Sequence, residues 1–355
     1  MLTTLPENFG ETVVILGAGA TVGTSLRDSM DRPRPPLDAD FFTQIQRLKN
    51  MKHVPYVEAL LKFCYEEFGP GWSLGMEQFY NYVWYSKKFR TQKNLEFNVG
   101  SKLISQDVET VFKNVLLAVF EESLYGMHSQ DPLKQSTCAL HDAVAQNLQP
   151  DDCVISFNYD CVMDCSMVTN SKYWRSRESY GLDLADKNLS YWDGKDTLPK
   201  GVAYLYKLHG SINWKLKSGQ IELKQRPYTR QQTSSHFHIV PPVISKDFLV
   251  DGDVLSELWK SASKKLADAK SVVVVGYSVP DADALANAML ASRAHAAQEG
   301  KEFLSTLVIA NMDSGTRRKI INTFRSSIGP KTKVLVFDTM DQMNQVLFNG
   351  ETELS

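Results

Sequence analysis

The chain has few cysteines, no long apolar run, no surplus of either charge and no phosphate-binding loop. Each absence removes a class of function. Its 355 residues include only five cysteines: Cys64, Cys138, Cys153, Cys161 and Cys165. The number is odd and most sit in apolar company, as reduced cytoplasmic thiols do, so no disulfide framework is expected. Cys161 and Cys165 lie close together, but no second cysteine pair exists to complete a tetrahedral site. His236 and His238 would share one strand face, which more often decorates a sheet than holds a metal. No metal, zinc included, is expected. No apolar stretch reaches the roughly 20 residues that span a bilayer. Met1–Glu7 lacks the basic-then-apolar order of a secretory leader, so a cytoplasmic location is the expectation. Lys and Arg number 39 against 41 Asp and Glu. That balance does not indicate binding to nucleic acid or an anionic membrane. Without a Gly-Lys-Ser/Thr loop, ATP hydrolysis is not indicated either.

What the chain does have is a series of short β-branched runs, each closed by glycine or small polar residues. Residues 12–16 read as a buried parallel strand leading into Gly17-Ala18-Gly19-Ala20-Thr21, which opens a helix. Strand character returns at Cys153–Phe157 and Ala203–Leu208, with residues 166–200 between them read as loop. Residues 213–240 read as short hairpin strands. The last third alternates: helices near 252–268, 282–297 and 313–325 lead to strands at Val272–Val275, Leu304–Ala310 and Lys333–Phe337. That rhythm predicts an α/β fold, a Rossmann-like parallel sheet with helices on both faces. Residues 38–149 interrupt it with helical spacing (Met76, Phe79, Tyr80, Val83; Val108, Val111, Phe112, Val115, Val119). They are expected to form an all-helical insertion of four or five helices, with 1–37 and 150–355 making the sheet domain.

Polar residues gather just past the strands. Asn158 and Asp160 follow one, His209-Gly210 follows the next, Gly276-Tyr277-Ser278 a third, and Asn311 a fourth. In an open α/β sheet these carboxyl ends form the ligand crevice. Each piece also has a plain structural explanation. Asn158 and Asp160 suit an Asx turn capping the next helix. His209 suits local backbone satisfaction. Asp281 and Asn311 suit helix caps, and the glycine turn suits a tight strand-to-helix bend. A glycine turn at a helix start would also let a pyrophosphate approach the backbone.

In this order, Gly17-Ala18-Gly19, Phe157-Asn158-Tyr159-Asp160, His209-Gly210 and Gly276-Tyr277-Ser278 resemble the motifs of the sirtuin-like superfamily. The resemblance is to its NAD-hydrolase effectors of bacterial anti-phage defence. It implies an NAD⁺ glycohydrolase with NAD⁺ as substrate. Asn158 would orient water and ribose, Asp160 would bind the nicotinamide carboxamide, and His209 would act on the ribose hydroxyls or as base. Gly17, Ala18, Gly19, Ala20 and Thr21 would hold the pyrophosphate, and Gly276, Ser278 and Asn311 the adenosine half. The four-cysteine zinc module of the deacylases has no counterpart here. Pro36–Phe42 stands where they carry a cofactor loop. An NAD-dependent protein deacylase and a non-catalytic NAD or nucleotide sensor are the alternatives. An unchecked NAD⁺ hydrolase would starve its own cell. A homo-oligomer is therefore expected, governed by a partner such as a ring-shaped, HerA-like ATPase. Insertion aromatics (Phe63, Trp72, Phe79, Tyr82, Trp84, Tyr85, Phe112, Phe120) would supply the contact. A monomer of constant specific activity at every concentration would contradict that.

Overall fold

The computed structural model describes residues 11–22, 33–89, 93–124, 138–194, 200–224, 237–240, 254–281, 283–298 and 300–348. The chain opens with β1 (Thr12–Leu16) and α1 (Ala18–Val22). Next come α2 (Phe41–Ile45), α3 (Val54–Phe68), α4 (Met76–Phe89), β2 (Asn94–Val99), β3 (Lys102–Asp107), α5 (Val108–Leu124) and α6 (Ala139–Asn147). After β4 (Cys153–Ser156) follow α7 (Val162–Asn170), α8 (Ser176–Ser179), α9 (Leu189–Trp192) and β5 (Tyr204–Lys207). A short stretch of small strands comes next: β6 (Gly210–Ser211), β7 (Trp214–Lys217), β8 (Gln220–Leu223) and β9 (His238–Ile239). The remainder is α10 (Val254–Asp268), β10 (Ser271–Val275), α11 (Ala284–Gln298), β11 (Thr306–Ala310), α12 (Ser314–Thr323), β12 (Lys333–Phe337) and α13 (Met340–Leu347).

The main sheet is six-stranded, in the order β12-β11-β10-β1-β4-β5. Every pairing in it is parallel. Counted in chain order, that is the 3-2-1-4-5-6 arrangement of dinucleotide-binding α/β folds. β1, β4, β10 and β11 are buried along their whole length. A strand covered on both faces gains by being apolar throughout, which is why these runs do not alternate. α10 packs on α11, while α6 packs on α7 and α13, so helices cover both faces. The chain leaves β1 toward β4 on one side and returns to β10 on the other. The order therefore reverses beside β1, opening a crevice at the strands' carboxyl ends.

Three expectations need correcting. The insertion is not all-helical, because β2 and β3 form an antiparallel hairpin closed by Gly100-Ser101, with Val99 opposite Lys102. Leu95, Phe97 and Val99 carry the period-two signal, and Tyr56 of α3 stacks edge-on against Phe97 at 4.9 Å. Residues 166–200 are not simply loop. α7 is buried from Val162 to Val168, so it shows no amphipathic period to read. Finally, Phe63, Phe79, Phe112 and Phe120 are core residues, at most 5 % exposed. Phe79 meets Phe42 and Phe112 at 5.4 Å each, in an interlocking aromatic cluster. These four are not available to a partner, whereas Trp72, Tyr82, Trp84 and Tyr85 are only partly buried. His236 and parts of the 213–240 stretch lie outside the described residues.

The glycine turn has a steric reason of its own. Gly276 has a φ of +59°, and a Cβ there would sit 2.1 Å from the Ala20 amide nitrogen. A Cβ on Gly17 would lie 2.5 Å from Tyr277 Cα. The loops after β1 and β10 therefore touch backbone to backbone. Gly276→Ala is expected to cost about 2–5 kcal/mol, from a left-handed conformation plus overpacking. Urea denaturation checks this. A loss under about 0.5 kcal/mol, the scale of an inconsequential surface change, would contradict the contact.

Candidate functional site

A cavity of about 460 Å³ opens at the reversal point, within the range of small-molecule sites. Gly17, Ala18, Gly19, Thr21, Asn158, Asp160, His209, Gly276, Ser278 and Asn311 all line it. Ala20, by contrast, is fully buried and outside the lining. Residues that follow β1, β4, β5, β10 and β11, from Gly17 to Asn311, are thus brought to one wall.

The chemistry of the wall is built on a run of linked hydrogen bonds. Asn158 Nδ2 donates to the Thr21 hydroxyl at 3.3 Å, and that hydroxyl donates to Asp160 Oδ2 at 3.1 Å. Asp160 Oδ1 accepts the Val162 amide at 2.9 Å, an Asx turn leading into α7, whose N-cap position is Cys161. The turn and the cavity lining are compatible, because the two oxygens divide the tasks. Asn158 is 6 % exposed, yet its Oδ1 has no hydrogen-bond partner. The Tyr277 hydroxyl, also on the cavity wall, is likewise buried without one. Buried acceptors of this kind are rare in folded proteins and call for a partner. Burial pushes the Asp160 carboxyl above its ordinary range, with Lys207 pulling the other way.

Beneath Asp160 lies an ion pair that sequence reasoning missed. Lys207 Nζ meets Asp164 Oδ2 at 2.8 Å, with both side chains at most 1 % exposed, and it also donates to the Asp160 carbonyl. Tyr180 donates to the other Asp164 oxygen at 2.6 Å. Burial opposes the lysine's charge, but Asp164, Cys161 and Asp160 together hold its pKa above the ordinary value. A lysine closing an otherwise apolar strand was the available signal.

His209 sits among rings, 5.2 Å from Phe157 and 6.3 Å from Trp259 between centroids. Trp259 Nε1 donates to the Leu208 carbonyl at 3.2 Å, and the Val240 amide to the His209 carbonyl at 2.8 Å. Phe157 in turn stacks on Tyr277 at 4.3 Å. His209 Nε2 lies 2.8 Å from Asp283 Oδ2. Asp283, not Asp281, also caps α11, accepting the Ala286 amide at 3.1 Å; Asp281 pairs with Lys319. Ser278 is exposed. Asn311 spans the loop, donating to the Tyr277 carbonyl and accepting the Asp313 amide. The amides of Gly17 and Gly19 donate to the Val275 and Gly276 carbonyls at 3.0 Å each. A phosphate at this turn would draw on the turn's other amides.

Of the opposite wall only Pro36–Ala39, at the position of the cofactor loop, was anticipated. Pro35–Ala39, Met76, Glu77 and Phe120 line the cavity, so the insertion closes over the crevice. Asp38 accepts the Glu77 amide at 2.6 Å at the start of α4, and burial raises its pKa. Among the described residues no group of three or more His, Cys, Asp and Glu could hold a metal ion. Cys161 is buried beside the Ser211 hydroxyl, and burial pushes its thiol well up. No described helix is long and apolar enough to cross a membrane.

Among solved structures the chain is similar to sirtuins. One is Sir2 with the inhibitor EX-527, 2′-O-acetyl-ADP-ribose and a deacetylated p53 peptide (12 % identity, 94 % of this chain and 92 % of that one, TM-score 0.35). Another is Sir2 with a p53 peptide and NAD⁺ (13 %, 94 % and 91 %, 0.35). A third comes from work on the structural basis of sirtuin substrate affinity (12 %, 94 % and 91 %, 0.34). No protein-family model and no curated protein matches the chain.

Proposed function

We propose that this chain is an NAD⁺ glycohydrolase, cleaving NAD⁺ with water to nicotinamide, ADP-ribose and a proton. The observation that carries this reading is the Asn158 side-chain carbonyl. It is buried, unpartnered, and in the wall of one cavity with Asp160 and His209. An acceptor in that state suits a water molecule or a ribose hydroxyl, either of which would satisfy it.

The bond broken joins ribose C1′ to a cationic pyridinium, and its electrons leave with neutral nicotinamide. The ribose then carries oxocarbenium character, so the protein's task is positioning and electrostatic support. Asn158, held by Thr21, orients the attacking water. Asp160 sets the nicotinamide carboxamide, its backbone fixed from below by Lys207. His209 accepts the proton released as water adds, a role suited to an imidazole. The turn from Gly17 to Thr21 takes the pyrophosphate, and Gly276, Ser278 and Asn311 the adenosine half. The insertion's wall over the crevice limits competing bulk water. In a cell the activity would serve as an anti-phage effector.

The test is product analysis with NAD⁺ alone and again with an acetyl-lysine peptide. Hydrolysis gives nicotinamide and ADP-ribose without peptide. Nicotinamide released only when the peptide is present, with acetyl transfer, would instead establish deacylation.

A further inference from the structure

His209 does not reach the cavity alone. Its Nε2 meets Asp283 Oδ2 at 2.8 Å, with the two side chains 6 % and 0 % exposed. These residues come from loops that follow different strands, β5 and β10, and are 74 positions apart. The other Asp283 oxygen accepts the Ala286 amide in the first turn of α11. A carboxylate held at a helix start is aimed by the helix backbone and stabilised as an anion by its dipole.

The loop that presents Asp283 is itself constrained. Val279 is 2 % exposed and has a φ of +51°, a region that β-branched residues rarely enter. Lys319 of α12 fastens that conformation, donating to the Val279 carbonyl and pairing with Asp281. Strain of this kind persists where the surrounding structure overdetermines it, and it concentrates at functional sites. A cap alone would not require it, because Asp, Asn or Ser at the helix start would serve in a relaxed loop.

We propose that Asp283 is a positioning residue for His209, fixing the imidazole with its Nε2 proton toward the carboxylate and its Nδ1 as the proton-accepting atom. This rests on reading the cavity as the NAD⁺-cleaving site. A carboxylate can only accept, so the nitrogen facing it carries the hydrogen, and the neutral ring's basic lone pair falls on Nδ1. When Nδ1 takes the proton released from water, the imidazolium forms beside a buried anion that stabilises it. No proton needs to pass to Asp283.

The test is Asp283→Asn in the full chain. Asparagine caps helices as well as aspartate does, so α11 keeps its first turn. The amide cannot supply the charge, and its NH₂ turned toward His209 favours the opposite tautomer. The expected result is a kcat lower by roughly 10²–10⁴-fold, with KM within about threefold and a melting temperature within about 2 °C of wild type. Independently of activity, ¹⁵N NMR of the wild-type imidazole should show Nε2 protonated at neutral pH, and that pattern should change in the variant. Wild-type kcat in a folded Asp283→Asn protein would overturn the proposal, as would a wild-type ring protonated at Nδ1 alone. If the wild-type chain releases no nicotinamide, the glycohydrolase reading fails, and the NMR spectrum still decides the positioning role.

Discussion

His209→Ala and Asn158→Ala are each expected to slow nicotinamide release from NAD⁺ by roughly 10²–10⁴-fold, the usual effect of losing one positioned acid–base or orienting group. The two should differ in stability. Asn158→Ala gives up one 3.3 Å hydrogen bond to the Thr21 hydroxyl and a carbonyl that has no partner, so its folding cost is about 1 kcal/mol. His209→Ala leaves the fully buried Asp283 carboxylate without its imidazole, so its stability falls as well. Rates must therefore be referred to folded protein, measured by circular dichroism in the same buffer. Combining the two changes should cost less than the product of the single effects, because both act on one water. A folded double variant with wild-type turnover would remove both residues from the mechanism.

Lys207→Met should be the most destabilising single change near the site, at about 3–5 kcal/mol, the cost of leaving one partner of a buried ion pair uncompensated. Asp164 would keep only the Tyr180 hydroxyl, and the Asp160 carbonyl would lose a donor. Pairing it with Asp164→Leu should recover much of the loss, since it is the lone buried charge that costs most. Urea denaturation of the single and double variants reads both effects. A single variant within about 1 kcal/mol of wild type would show the pair to be far more solvated than its burial indicates.

Most of the sheet was legible because β1, β4, β10 and β11 are buried along their whole length. Val13–Leu16, Val272–Val275 and Leu307–Ala310 are unbroken apolar runs, each ending where a glycine or asparagine must turn the chain. The motif residues were legible for the same reason, since a parallel sheet carries whatever follows its strands to one edge. The pairings among them were not. Asp283 meets His209 and Asp164 meets Lys207 across sequence separations that no local pattern encodes. Asp283 carried no reading of its own, with Asp281 the expected cap. The β2–β3 hairpin was overlooked because helical spacing on both sides outweighed its short alternation. α7 was overlooked because complete burial erases periodicity. For Gly17 and Gly19 both a tight bend and clearance for a ligand were open, and the neighbours an added Cβ would meet are the backbone of Gly276 and Tyr277.

The central claim is that the cavity at the reversal of the sheet hydrolyses NAD⁺. Chromatographic quantification of nicotinamide and ADP-ribose from NAD⁺ tests it most directly, with wild type and Asn158→Ala compared at equal, high protein concentration. The mechanism predicts equimolar nicotinamide and ADP-ribose accumulating over many turnovers with wild type, and at least ~10²-fold less with the variant. Intact NAD⁺ after prolonged incubation with folded wild-type protein, or equal turnover by the two proteins, would contradict it.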